Sequence, residues 1–277
     1  LANTLGAGSS HAGRVLDVFG GAQEAWENRD SDAFRKAVGS PAFARANLPD
    51  NTPAHYRAFA RRCAARNIRI LPYDDPDYPL ALSRIPDMPL VLYCTGDPRW
   101  LNEPGTIGIV GSRRPTEYGL NAAADIGGAL AKSGAVIVSG LADGLDSAGH
   151  RAAVKNNCPT IAVMGVPIDR TYPAANAVLR HKIEQKGCVI SEYPPGTEPD
   201  GLNYKSRNRI ILVGKAADPT VDPNVPAMDP TVPGSDPGVP TTDSGATMTD
   251  PGVPGVDPTQ TPAIPETPQT SETAPAA

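Results

Sequence analysis

The chain has 277 residues, of which 40% are hydrophobic, 5% aromatic and 20% charged, enough for one or two domains of ordinary size. All 25 Lys and Arg lie at or before Lys215, where they face 21 acids, whereas the remaining residues hold nine acids and no base. The net charge of −5 therefore averages a mildly basic body and an acidic tail, and no run approaches the ~18 apolar residues of a membrane span. No signal peptide is read from the start of the chain. Cys63, Cys94, Cys158 and Cys188 are scattered, without CxxC or His at ligand spacing. They read as reduced, mostly buried thiols of a cytosolic protein, not as a disulfide framework or a metal site.

Residues 1–70 are expected to form a small helical domain. HAGRVLDVFGGAQEAWEN sets Val15, Val18, Phe19 and Ala22 on one face, continued by Ala25 and Trp26. SDAFRKAVG predicts a second helix with Ser31 or Asp32 as N-cap and Gly39 as its stop. PAHYRAFARRCAARN predicts a third, ending near Asn67 and carrying Arg57, Arg61, Arg62 and Arg66. That basic strip reads as a solvated face, with nucleic-acid contact as the alternative. In residues 71–104 proline recurs too often for a long helix, and IRIL and LVLYC read as short strands around a connector that packs on the core.

Residues 105–215 alternate strand and helix. TIGIVG (106–111), AVIVSG (135–140), TIAVM (160–164) and CVISE (188–192) are apolar throughout, and helices are predicted over EYGLNAAADIGGALAKSG, DSAGHRAAVKNN and ANAVLRHKIEQKG. The fold class is α/β: an incomplete Rossmann-like parallel sheet with helices on both faces. Beyond it, in residues 216–277, Asp222, Asp229, Asp236, Asp243, Asp250 and Asp257 recur every seven residues, most within DPxVP. Proline excludes a coiled coil there, so the tail reads as a disordered, acidic spacer.

Right-handed crossovers place all strand-to-helix loops on one edge of the sheet, where open α/β sheets bind ligands. The first loop, Gly111-Ser112-Arg113-Arg114, combines a turning glycine, a hydroxyl and two planar cations at a helix start, a pattern suited to anions. The second begins at Ser139-Gly140 and runs to Asp146, a candidate N-cap; His150 follows and reads as a packed core histidine with Asp146 as a candidate partner. In the third, Arg170 and Tyr172 suit a phosphate and a base, or packing. The fourth, SEYPPGT, leads to NYKSRNRI, where Lys205, Arg207 and Arg209 crowd around Asn208 beyond the ligand edge. No nucleophile elbow, matched carboxylate pair or HExxH appears, so neither catalysis nor a cofactor or metal is expected.

GIVGSRRPTEYG, SGLADGLDSAGHRAA, TIAVMGVPIDRTYPAAN, VISEYPPGTEP and RNRI, in this order, resemble the DNA-processing protein A family (DprA, also called Smf). DDPDYPLALSRIPDMPLVLYCTGD resembles the segment leading into that family's core, so the resemblance covers roughly residues 1–211. It implies a cytoplasmic, non-enzymatic single-stranded DNA-binding protein. Such a protein protects incoming DNA in natural transformation and loads a RecA-type recombinase as a homodimer. By the resemblance the DNA pocket would fall on Ser112 and Arg113, with Arg207, Asn208 and Arg209 completing its rim; the reading of the loops adds Gly111, Arg114, Ser139, Gly140 and Lys205 as DNA-binding candidates. Tyr204-Lys205 stands where the family has Phe-Pro, and the acidic repeat stands where the family continues its sheet. Two alternatives remain: a nucleotide-processing phosphoribohydrolase, whose PGGxGT-type loop PPGTEP only grazes, and a truncated or frameshifted relative without function.

Overall fold

A computed structural model describes residues 1–7, 9, 11–48, 51–199, 201 and 203–212. The aspartate repeat and the tail expected to be disordered lie outside these residues.

The chain opens with short helices α1 (Ala2–Leu5), α2 (His11–Phe19), α3 (Ala22–Glu27), α4 (Asp32–Val38) and α5 (Ser40–Ala46), followed by the longer α6 (Pro53–Ala64). The segment expected to be one helix is two, because Gly20 turns at φ 73° between α2 and α3. Val15 and Ala25 remain buried around Phe34, while Val18 is left 53% exposed. Ser31 caps α4, its Oγ accepting from the Phe34 amide at 3.1 Å, and Gly39 stops that helix at φ 77°. Thr52 caps α6 in the same way through His55 N at 3.2 Å. Asn67, at φ 56°, then turns the chain into the sheet.

The sheet elements are β1 (Arg69–Pro72), β2 (Val91–Gly96), β3 (Thr106–Gly108), β4 (Val136–Ser139), β5 (Thr160–Met164) and β6 (Cys188–Ser191). Helices α7 (Glu117–Lys132), α8 (Leu145–Lys155) and α9 (Ala177–Lys186) alternate with the last four strands, and α10 (Asn203–Leu212) follows them. The strand order is β1-β2-β6-β5-β4-β3. β3 to β6 are parallel, as expected. The connector does more than pack on this sheet. It supplies β2, antiparallel to β6, and β1 pairs antiparallel with β2, so the sheet is mixed and the far edge of β6 is covered. Among the described residues β3 is an edge strand, with Ile107 36% exposed.

Because β3, β4, β5 and β6 are successive neighbours, every right-handed crossover lays its helix on the same face. Ile137, Ala162, Met164 and Val189 point to that face and meet side chains of α6, α8 and α9. Their neighbours Val136, Val138, Ile161, Val163 and Ile190 point to the other face. There they meet Ile210 and Ile211 of α10 and Leu82 and Leu101 of two 3₁₀ turns, Leu80–Arg84 and Pro98–Asn102. Burial on both faces is why these strands read as uninterrupted apolar runs, each large side chain contributing about 1.5–3 kcal/mol. Cys63, Cys94 and Cys188 are buried free thiols, and Cys158 is half-buried. No described helix is long and apolar enough to cross a membrane.

Candidate nucleic-acid interface

The loops leaving β3, β4 and β5 meet at the carboxyl edge of the sheet, and bare glycine backbone is what brings them close. At Gly144, φ 79°, a Cβ would collide with the Ser112 carbonyl, so the first two loops touch backbone to backbone. Ser112 O accepts from Leu145 N at 3.1 Å and its Oγ accepts from Arg114 N at 3.1 Å, fixing the turn that projects Arg113. Both Arg113 and Arg114 are exposed. Ser139, fully buried, donates its hydroxyl to Ile109 O at 2.5 Å and so stitches β4 to the start of the first loop. Its role is internal; it offers nothing to a ligand.

The residues expected along the rim lie on a helix, α10, and the helix separates them. At 100° per residue, positions two apart point about 200° from one another and cannot share a face. Arg207 turns inward and is 3% exposed; its guanidinium donates to Gly140 O at 2.7 Å and also to Val163 O. A Cβ on Gly140 would occupy that guanidinium's place, and a Cβ on Gly165 would meet Tyr204 Cδ1 at 2.8 Å. The two glycines thus admit α10 directly onto the ends of β4 and β5. Arg209 is engaged as well, donating to Glu192 Oε2 at 2.7 Å and Asp87 O at 3.0 Å. Lys205 and Asn208 are exposed on the outer side of the helix. Of the ten expected site residues the structure gathers Arg113, Gly140 and Arg207 around one small cavity, and it turns Ser139 and Arg209 to internal contacts.

Tyr204 and Tyr172 complete that cavity. The Arg113 guanidinium lies 5.2 Å from the Tyr204 ring centroid, within cation–π range, and the two tyrosine rings are 5.5 Å apart at 44°. The cavity measures about 40 Å³ and opens beside Tyr172, which is 52% exposed. Arg180 holds this part of the third loop, donating to the carbonyls of Ile168 and Arg170, each at 2.5 Å, and pairing with Glu184 at 2.9 Å. Asn176, 2% exposed, ties the loop to the second one by donating to Leu141 O at 3.0 Å. In the fourth loop the Gly196 amide is taken by Asp169 at 3.0 Å, which leaves PPGTEP with one fewer donor for a phosphate.

Asp146 does not cap α8. Gly144 stands at that N-cap, and Asp146, 4% exposed, folds back to accept from Gly140 N at 3.2 Å. Burial pushes its carboxyl up, against the opposing pull of Arg207 and of the Ala142, Gly111 and Gly140 amides. Burial lowers the pKa of Arg207, partly offset by Asp146, and the nearby Arg113 charge lowers it further. His150 is buried as expected, but its partner is Thr160, Nδ1 to Oγ1 at 2.7 Å, not Asp146. Thr160 gives its own proton to Ile137 O at 2.6 Å, so Nδ1 carries the ring hydrogen. Desolvation drops this histidine to a pKa of about 3, making it a neutral core residue and a poor base at neutral pH. No group of three or more His, Cys, Asp or Glu able to hold a metal occurs among the described residues.

The chemistry of the edge is therefore an exposed cation over an aromatic ring, a second ring open to solvent, and a buried guanidinium beneath them. Comparisons with known proteins agree in where they fall. The Smf protein of Synechocystis is 44% identical over 149 residues, 53% of this chain and 37% of that protein. The DNA processing protein DprA of Bacillus subtilis is 37% identical over 146 residues, 53% of this chain and 49% of its own length. The chain thus spans less than half of the length of these curated relatives. The crystal structure of DprA from Streptococcus pneumoniae superposes with a TM-score of 0.60 at 30% identity, over 76% of this chain and 73% of that one. Residues 69–216, more than half of the chain and including every loop described above, match the family model of DNA recombination-mediator protein A, and the chain belongs to that family.

Proposed function

We propose that the chain binds single-stranded DNA at the carboxyl edge of its sheet without cutting it, acting in the cytoplasm in DNA processing during natural transformation. In this reading it shelters incoming DNA and supports loading of a RecA-type recombinase, the chain working as a homodimer. The observation that carries the reading is the stack of Arg113 on Tyr204 beside the exposed ring of Tyr172. A fixed cation attracts phosphate, and flat rings accept any base, which is the combination used to hold single strands with little sequence preference. Neither His150, buried and neutral, nor Asp146, enclosed by three amides and Arg207, is placed to act as a general base there. Membership of the family and the names of its curated relatives support the DNA-processing role.

Fluorescence anisotropy of a labelled oligothymidylate, titrated with the full chain at several salt concentrations, tests the reading. Affinity should fall steeply with salt. Arg113→Ala should weaken binding on every sequence and reduce the slope of log K against log salt by about 0.7, the value for one phosphate contact on a single strand. Unchanged affinity and slope in Arg113→Ala would remove the cavity from the binding site. Release of base or ribose phosphate from a nucleoside monophosphate would favour the hydrolase alternative.

A further inference from the structure

Helix α6 carries a feature that the cavity does not use and that lies before residue 69, where the match to the family begins. Its buried side is narrow: Cys63 is 1% exposed, and Phe59 packs edge-on against Tyr93 with ring centroids 6.0 Å apart. The rest of the helix faces solvent, and there Arg57, Arg61 and Arg62 are exposed, as is Arg66 in the turn just after its end, with Ala58 and Ala65 between them. Residues 53–66 contain no Asp or Glu. The side chains of Arg57 and Arg61 have no ion-pair or hydrogen-bond partner among the described residues. Arg62 leans over Phe59 at 5.8 Å, and Arg66 alone meets a carboxylate, Asp169, at 3.4 Å. Solvated helix faces ordinarily alternate charges of both signs, because like charges at i and i+4 repel. Here 57/61 is such a like-charged pair, Arg62 stands beside it and Arg66 follows in the turn, with short alanine side chains between them that let a chain approach closely.

The one acidic contact also locates the strip. Asp169 lies in the third loop, three residues before Tyr172 at the mouth of the cavity, a chain distance of at most about 10 Å. From Arg66, in the turn after α6, the arginines follow back along the helix to Arg57 within roughly 15 Å. Arg170, exposed and paired only with the exposed Glu198 at 3.2 Å, stands between. We propose that the solvent face of α6 is a second phosphate-binding surface, over which the backbone of a single-stranded nucleic acid runs after leaving the cavity. The proposal rests on the reading of the cavity as a single-strand site and adds to it the path of the strand. A track of roughly this length suits the 4–16 nucleotides typical of sequence-independent single-strand sites.

The test compares two labelled oligothymidylates, a dinucleotide that sits at the cavity mouth without reaching Arg61 or Arg57 and a 25-mer that reaches α6, on the full chain and on Arg57→Glu/Arg61→Glu. Both positions are exposed, and an unchanged melting temperature confirms that the variant folds. In the wild type the 25-mer should bind at least tenfold tighter than the dinucleotide at low salt. The variant should lose that advantage and show a smaller salt slope for the 25-mer, by about 0.7 for each phosphate contact removed, while its dinucleotide affinity stays within twofold of wild type. A folded variant whose 25-mer affinity and slope match wild type overturns the proposal. So does a wild-type chain that binds both lengths equally, which would leave the cavity reading standing and assign α6 to an acidic protein partner or to solvent. Failure of the wild type to bind either length would refute the cavity reading itself.

Discussion

Gly140→Ala isolates the packing on which the cavity depends. Gly140 does not have a positive φ, so its backbone would accept an alanine without conformational penalty, and any cost must come from the added methyl. That methyl would take the place of the Arg207 guanidinium. Arg207 would have to leave, stripping the carbonyls of Gly140 and Val163 of their donor and leaving Asp146 beside an uncompensated space. Removing one member of a buried charged network costs about 3–5 kcal/mol. That is a large part of the 5–15 kcal/mol that holds a typical domain together. At 2–4 °C per kcal/mol for a folded body of this size, the melting temperature should drop by about 6–20 °C.

Thermal and urea unfolding of the full chain measure this directly. Gly105→Ala is the matched control, since a Cβ there meets Ala135 Cα at an ordinary 3.7 Å. A double-mutant cycle sharpens the result. In an Arg207→Met background Gly140→Ala should cost less than about 1 kcal/mol, a coupling of at least ~2 kcal/mol between the two positions. A Gly140→Ala variant melting within 2 °C of wild type would refute the reasoning. So would a cost that persists undiminished after Arg207 is removed.

Stability should fall on acidification because His150 is held neutral: the unfolded chain binds its proton near pH 6.5 and the folded chain only near pH 3, so between those values the unfolded state is favoured as pH drops. From pH 7.5 to 5 this amounts to about 2 kcal/mol in urea denaturation. Asp146, raised by burial, contributes in the opposite sense above its ordinary pKa, and the comparison of wild type with His150→Leu isolates the histidine component as the part that disappears. Tyr172→Ala, at a half-exposed position, should leave the melting temperature within 1–2 °C while weakening single-strand binding by about 5–150-fold, the equivalent of one stacked base at 1–3 kcal/mol; undiminished affinity in anisotropy would exclude stacking there. Arg209→Ala should destabilise by about 1.5–3 kcal/mol through loss of its short contact to Glu192 and leave the salt slope of binding unchanged, whereas Lys205→Ala should do the reverse if that exposed lysine touches phosphate. A slope that drops in Arg209→Ala would mean that the ion pair opens on binding.

The alternation of β3 to β6 with α7 to α9 is legible because each strand is a short apolar run closed by glycine or polar residues, and each helix repeats its apolar positions at 3.6 spacing. The joining of β1 to β2, and of β2 to β6, is not legible in that way. Each is a brief apolar segment, and whether it joins the sheet, and in which direction, is decided by contacts such as Tyr93 opposite Ser191, nearly a hundred residues apart. The same holds for single side chains. Asp146 is the near neighbour of His150 on the helix, but Thr160 on the next strand is its partner, because β4 and β5 bring Ile137 and Thr160 side by side. The cluster around Asn208 suggests a common anionic ligand, yet Arg209 answers to Glu192 and Asp87, and nothing local to NYKSRNRI announces them. The helix itself is hard to see there, since Arg207 occupies an inward position that a pattern search expects to be apolar.

That inward arginine is what makes the edge of the sheet depend on a helix from outside the loops. Gly111, Ser112 and Arg113 form a turn of their own, held by the Leu145 amide and by Arg114 N, but the surface against which Arg113 rests belongs to α10. Tyr204 and Arg207, one turn apart, fill the spaces left by Gly165 and Gly140, so the ring under Arg113 and the cation under the second loop move as one body. The buried charge of Arg207 is offset by Asp146, whereas Arg113 and Arg114 face solvent without an acidic partner among the described residues. Asp143, held by Asn176 at 3.5 Å, is the acid at the mouth of the cavity. The excess on this edge is thus positive and sits on side chains that are free to meet a polyanion, while the cation that sequence proximity would have counted with them serves to hold the fold in place.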